Sequence, residues 1–139
     1  MSRTGPVLFV ALLFASVDTA AAVLHARTPD LALQVTHFTT TISPQGQGPE
    51  SVARIDFFVR EGDPDATVEI IGPNLEVIRT LYRGPLVADR PVSFTWNGRQ
   101  DGGEVANPRH RYRLRVILPG EDRDMVYPRR IRLVGAERQ

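Results

Sequence analysis

Beyond residue 30 the clearest apolar runs of this chain recur at every second position, and no stretch shows helical spacing. Ala53, Ile55, Phe57 and Val59 alternate with Arg54, Asp56, Phe58 and Arg60, and Ala66, Val68 and Ile70 alternate with Thr67 and Glu69. A period of two sends successive side chains to opposite faces, so each run is a half-buried strand. A first strand over 31–42 is read from its β-branched and aromatic residues, although its alternation is imperfect, a fourth over 76–83 lies between turn signals, and in a fifth Val92, Phe94 and Trp96 face one way. A sixth points Tyr112, Leu114, Val116 and Leu118 inward, and a seventh does so with Tyr127, Ile131 and Leu133. Proline and glycine clusters punctuate them: Ser43-Pro44-Gln45-Gly46-Gln47-Gly48-Pro49, Glu61-Gly62-Asp63-Pro64-Asp65, Gly72-Pro73-Asn74, Gly84-Pro85 and Arg90-Pro91, and Pro119-Gly120-Glu121-Asp122. Short strands at such regular spacing predict an all-β fold, a seven-stranded antiparallel β-sandwich over 33–135. A closed barrel is the alternative; strands with one polar face and enough apolar positions for two facing sheets favour the sandwich.

The N-terminal segment has a different character. Ser2-Arg3 is a basic start, residues 7–17 are an almost unbroken apolar run, and Ala20-Ala21-Ala22 offers small residues to a signal peptidase. Export from the cytoplasm follows, with residues 1–24 as a cleaved signal peptide or a retained single-pass anchor forming a hydrophobic helix. The stretch 5–24 approaches the ~20 residues that span a bilayer. Asp18 costs an inserted helix about 3 kcal/mol at most, less off centre, which the neighbouring Leu, Phe and Val offset. Residues 25–32, with Pro29 and no apolar period, form a tether, and 136–139 a short tail.

Composition removes chemistry more than it assigns any. The 139 residues hold no cysteine, so there is no disulfide framework, thiolate metal site or cysteine nucleophile. Net charge is +1, yet all 17 basic residues are arginine. Because that bias covers the whole chain, codon usage explains it more simply than selection for anion binding. His25, His37 and His110 lack zinc spacing and sit beside no nucleophile. His110 begins the inward series of the sixth strand and reads as a packed core residue. Glu61, Asp63 and Asp65, like Glu121, Asp122 and Asp124, fall in turns, where solvated loop carboxylates are the ordinary outcome. No phosphate-cradling glycine motif opens a helix. The chain is expected to be no enzyme, with no cofactor and no metal.

The connection Phe94-Thr95-Trp96-Asn97-Gly98-Arg99-Gln100-Asp101-Gly102-Gly103-Glu104-Val105 is the most distinctive local pattern. Trp96 shares its face with Val92 and Phe94, so it is expected to plug the end of the core rather than stack on a sugar ring. Asn97, Gly98, Gly102 and Gly103 then turn the chain toward Tyr112; the loop has too few oxygen donors for calcium. Together with Ile42-Ser43-Pro44-Gln45-Gly46-Gln47-Gly48, Pro73-Asn74-Leu75-Glu76-Val77-Ile78-Arg79-Thr80-Leu81 and Tyr112-Arg113-Leu114, this order of elements resembles the immunoglobulin-like domain of the flagellar hook-capping (FlgD-like) family. The likeness covers roughly residues 35–134. The family's usual aspartate after the tryptophan is Asn97 here, and Arg109-His110 stands where a glycine turn commonly precedes the tyrosine strand. The resemblance implies an immunoglobulin- or fibronectin-III-like sandwich, an extracytoplasmic and non-catalytic module of secreted bacterial proteins. It does not imply hook assembly.

One surface feature stands out. Arg109, Arg111, Arg113 and Arg115 alternate on one face of the sixth strand, and Arg130 and Arg132 are expected to join them from the seventh. Guanidinium groups bind phosphate and carboxylate bidentately, so such a face would suit an anionic envelope polymer, phospholipid headgroups or an acidic protein. The simpler reading is a solvated face neutralised across strands by Glu69, Asp56 or Glu104. Nucleic acid is disfavoured by export and by the lack of interleaved aromatics. The sequence thus predicts an envelope interaction or structural module, its partner a protein or polymer, with membrane contact through the N-terminal segment if uncleaved. The alternative is a binding domain for anionic glycan or polymer.

Overall fold

The computed structural model describes residues 32–135, which form two facing β-sheets. Nine strands follow in chain order: β1 (Leu33–Phe38), β2 (Thr41–Ile42), β3 (Ala53–Val59), β4 (Asp63–Ile71), β5 (Val77–Leu86), β6 (Val92–Trp96), β7 (Arg111–Leu118), β8 (Arg123–Val126) and β9 (Ile131–Leu133). One sheet has the order β1-β3-β6; the other runs β2-β9-β7-β4-β5, with β8 also on β7. The predicted signal or anchor helix, the tether up to residue 31 and the tail lie outside the described residues.

The alternating residues of both sheets meet in one cluster. Ile55 and Phe57 from β3 and Trp96 from β6 pack with Val68 and Ile70 of β4 and Leu114 and Val116 of β7, all at most 1% exposed. Burial on this scale is the main stabilising term of the domain. Aromatic pairs close its flanks. Phe94 lies 5.8 Å from Phe57 and 5.4 Å from Tyr82, which spans the gap between β6 and β5, and Phe38 meets Tyr127 edge-on at 4.9 Å.

Nine strands replace the expected seven for identifiable reasons. The single strand predicted over 31–42 breaks at Thr39-Thr40: β1 pairs antiparallel with β3, and β2 crosses to pair with β9. That β2–β9 ladder is parallel, so the sandwich is not purely antiparallel. The expected seventh strand shortens to β9, with Tyr127 left outside any strand ahead of Pro128, and the unpredicted β8 precedes it on the edge of β7. Gly84-Pro85, predicted to end the fourth strand, lies inside β5; β5 is an edge strand, where a missing N–H is tolerated.

Asp63 is the clearest departure from the turn predicted at 61–65. It opens β4 with 4% exposure, and its carboxylate accepts hydrogen bonds from the backbone N–H of Asp65 (2.7 Å) and of Gly120 (2.6 Å). A loop carboxylate by sequence is thus a buried clamp between the start of β4 and the turn after β7. Gly120 permits it, since a β-carbon there would stand 2.8 Å from Asp63 Oδ2.

Candidate functional site

The turn after β6 and the arginine face beyond it meet at β7, through the contact of Trp96 with Tyr112. Trp96 is 1% exposed, packs edge-on against Tyr112 at 5.3 Å and donates its indole N–H to Arg99 O at 2.8 Å. Asn97 Oδ1 accepts from Arg99 N–H at 3.0 Å, an Asx turn that starts the reversal. Residues 98–106 then form a small hairpin of their own, with an Arg99–Val105 bridge and Ala106 N–H donating to Gly98 O. Gly98 and Gly103 have φ of 79° and 98°; Gly102 has no such requirement and open space beside it. At the hairpin tip Asp101 accepts from Thr80 N–H (3.0 Å) and donates its own N–H to Ile78 O (2.9 Å). The loop therefore covers part of the exposed edge of β5, a strand that would otherwise offer free pairing groups.

Tyr112 carries this end of the core into the arginine surface. Its ring is buried, and its hydroxyl donates to Asn107 O at 2.6 Å. Asn107 in turn accepts from Arg109 N–H through Oδ1 (2.9 Å) and from His110 N–H through its carbonyl (3.2 Å). The buried tyrosine thus fixes the loop that presents Arg109 and His110. Burial holds the phenol pKa above its usual value, so the hydroxyl stays a donor.

The six arginines separate into two groups. Arg115 stands opposite Glu69 in the β4–β7 register and is bracketed by carboxylates: Asp124 binds its Nε and Nη2 at 2.8 and 2.6 Å, and Glu69 lies 3.4 Å from Nη1. The Glu69 side chain is only 5% exposed. The bidentate bond from Arg115 holds the Asp124 carboxyl below its ordinary range, and the same bond raises the guanidinium. Arg115 is therefore a structural ion-pair residue. Glu69 does neutralise it, as the simpler sequence reading allowed. Asp56 does not, because it lies in the other sheet, bonded to Ser93 and Arg54, and Glu104 belongs to the 98–106 hairpin.

Arg109, Arg111, Arg113, Arg130 and Arg132 have no acidic partner among the described residues. Four of them, Arg109, Arg111, Arg113 and Arg130, line one concavity of about 310 Å³ with Pro73 and His110. Arg132 is paired directly opposite Arg111 in the β7–β9 ladder. Like charges opposed across strands repel, and an anion between them would relieve that repulsion. Arg113 is half-buried and the other four are exposed, so the guanidinium groups are held near a surface an anion can reach.

His110 is exposed on the rim of this concavity, not packed in the core as its place before β7 predicted. The strand begins only at Arg111, so its first inward position is Tyr112, two residues beyond His110. His37 is exposed on β1, in the other sheet. Among the described residues no three His, Asp or Glu side chains gather as a metal site. Comparison with protein-family models and with curated proteins finds no match to this chain.

Proposed function

We propose that the chain is an immunoglobulin-like, non-catalytic interaction module of the bacterial cell envelope, exported by its N-terminal segment, that engages anionic partners through the Arg109, Arg111, Arg113, Arg130 and Arg132 surface. The immunoglobulin-like assignment draws support from two features. The first strand changes sheets between β1 and β2. The Tyr112 hydroxyl bonds a carbonyl five residues upstream at the start of β7, the arrangement of a tyrosine corner in such sandwiches. The narrower likeness to the FlgD-like immunoglobulin domain rests on the sequence resemblance alone.

The anion-binding reading rests on one observation: four guanidinium groups surround a concavity without a carboxylate to neutralise them. A face of solvated ion pairs would look like Arg115, and these residues do not. The test is retention of the full chain on immobilised polyphosphate across a salt gradient. The triple variant Arg111→Gln, Arg113→Gln, Arg130→Gln is expected to lose salt-sensitive retention while melting like wild type. No retention of the wild-type protein, or equal retention of the variant, refutes the reading. Arg115 is left intact because its removal would strand the buried Glu69 carboxylate.

A further inference from the structure

The β4–β5 hairpin that reaches the arginine concavity carries an exposed leucine in a backbone conformation suited to glycine. Gly72 N–H donates to Glu76 O (2.9 Å) and Leu75 N–H donates to Gly72 O (3.1 Å), closing a three-residue loop whose last residue is left-handed. That residue is Leu75, with φ of 64° and 53% exposure. A side chain with a β-carbon disfavours this region, and an exposed leucine gains little from the fold in return. Two residues on, Val77 is 47% exposed. Val77 pairs with Ile71, and Ile71 with Arg113 on its other side, so Val77 and Arg113 share the outer sheet face. Pro73, from the same loop, lines the arginine concavity. The one carboxylate in the loop, Glu76, is engaged by Asn74 N–H at 2.8 Å.

We propose that this end of the sandwich docks on an anionic lipid surface, Arg109, Arg111, Arg113 and Arg130 taking lipid phosphates while Leu75 and Val77 enter among the headgroups. The inference rests on the anion-binding reading above and adds its ligand class. A soluble polyanion complements the arginines but gives nothing to two apolar side chains on a protruding turn. An anionic bilayer complements both, because its phosphates lie directly above its acyl boundary. The apolar contact is confined to one hairpin tip, which suits shallow entry into headgroups more than the broad packed core of a stable protein interface.

The full chain is tested by flotation with vesicles of phosphatidylcholine alone and with ~30% phosphatidylglycerol. Its apolar 7–17 run would partition into either, so the reading is the excess affinity for the anionic vesicles. That excess is expected to fall about a hundredfold in the Arg111→Gln, Arg113→Gln, Arg130→Gln variant, at roughly fivefold per arginine. Leu75→Gly is expected to lower it roughly fivefold through lost apolar burial, to raise the melting temperature by about 4 °C through relief of the backbone, and to leave polyphosphate retention unchanged. An excess unaffected by Leu75→Gly overturns the lipid inference. So does a wild-type protein that shows no excess yet still binds polyphosphate, which would point to a polymer or acidic protein and leave the anion-binding reading standing. Loss of both in the wild type would overturn the two together.

Discussion

Replacing Gly98 by alanine should destabilise the domain through two separable effects, and a second substitution can tell them apart. The first is conformational: φ of 79° puts an alanine in the left-handed region at a cost of about 1 kcal/mol. The second is steric, because the new β-carbon would stand 2.6 Å from Pro44 Cγ and 3.0 Å from Pro44 Cβ. Pro44 belongs to a proline- and glycine-rich loop and Gly98 to a backbone turn, so relief requires moving one against the other, at about 1–3 kcal/mol. Gly98→Ala alone should therefore cost about 2–4 kcal/mol. Pro44→Ala removes Cγ and leaves a contact that a few tenths of an ångström relieves, so on that background Gly98→Ala should cost only about 1–2 kcal/mol. Urea unfolding of the four proteins measures this, followed by the fluorescence of Trp96, the only tryptophan and two residues from the site. Any effect of Pro44→Ala on the unfolded chain cancels in the cycle. Additive costs within about 0.5 kcal/mol would refute the claim that Pro44 and Gly98 interlock.

Asp63→Asn keeps the shape of the side chain but turns an amide donor toward one of the two backbone N–H groups that the carboxylate now accepts, at 2.7 and 2.6 Å. The loss should be about 2–3 kcal/mol in urea unfolding, and an unchanged midpoint would return Asp63 to the ordinary solvated loop carboxylates. Asp124 gives the pH prediction. Arg115 depresses its folded pKa below the ordinary 3.8, so its contribution is complete above that value and disappears as pH falls through the lower folded one. Its side chain is 50% exposed, which keeps the effect small. Thermal melts should show a stability gap between wild type and Asp124→Asn at neutral pH that closes in acid. A gap independent of pH would break the link to that ion pair.

Much of the fold was legible because burial on one face writes a period of two into the sequence. Ile55, Phe57, Val68, Ile70, Leu114 and Val116 all face the core as their alternation requires. Alternation fails where the ladder itself is irregular. In β5, Val68 pairs with Tyr82 but Glu69 pairs with Thr80, so Leu81 is an extra residue; Ile78 is another between Arg79 and Val77. Both bulged residues pack against the core, which blurs any period in that strand. The break at Thr39-Thr40 was invisible for another reason: β-branched residues suit both sheets, and only pairing decides between them. Asp63 shows the limit of composition, since its Asp-Pro-Asp context marks a turn and only the N–H of Gly120, 57 residues on, makes it a core residue.

The arginine face shows what separates a shared face from a shared site. Alternation alone puts Arg111, Arg113 and Arg115 on the same side of β7 and cannot distinguish them. Long-range register does. Arg115 meets Glu69 across β4 and Asp124 across the β7–β8 hairpin, whereas Arg111 meets Arg132 and Arg113 meets the apolar Ile71. The residues left without carboxylates are those nearest the loop that Tyr112 holds through Asn107. The strand whose inward face seals the core against Trp96 therefore also sets the spacing of the surface cations. Tyr112→Phe should therefore lower polyphosphate retention more than it lowers the urea midpoint, because the hydroxyl holds Asn107, which in turn holds Arg109 and His110, while β4 and β7 keep their own ladder; unchanged retention would refute this coupling.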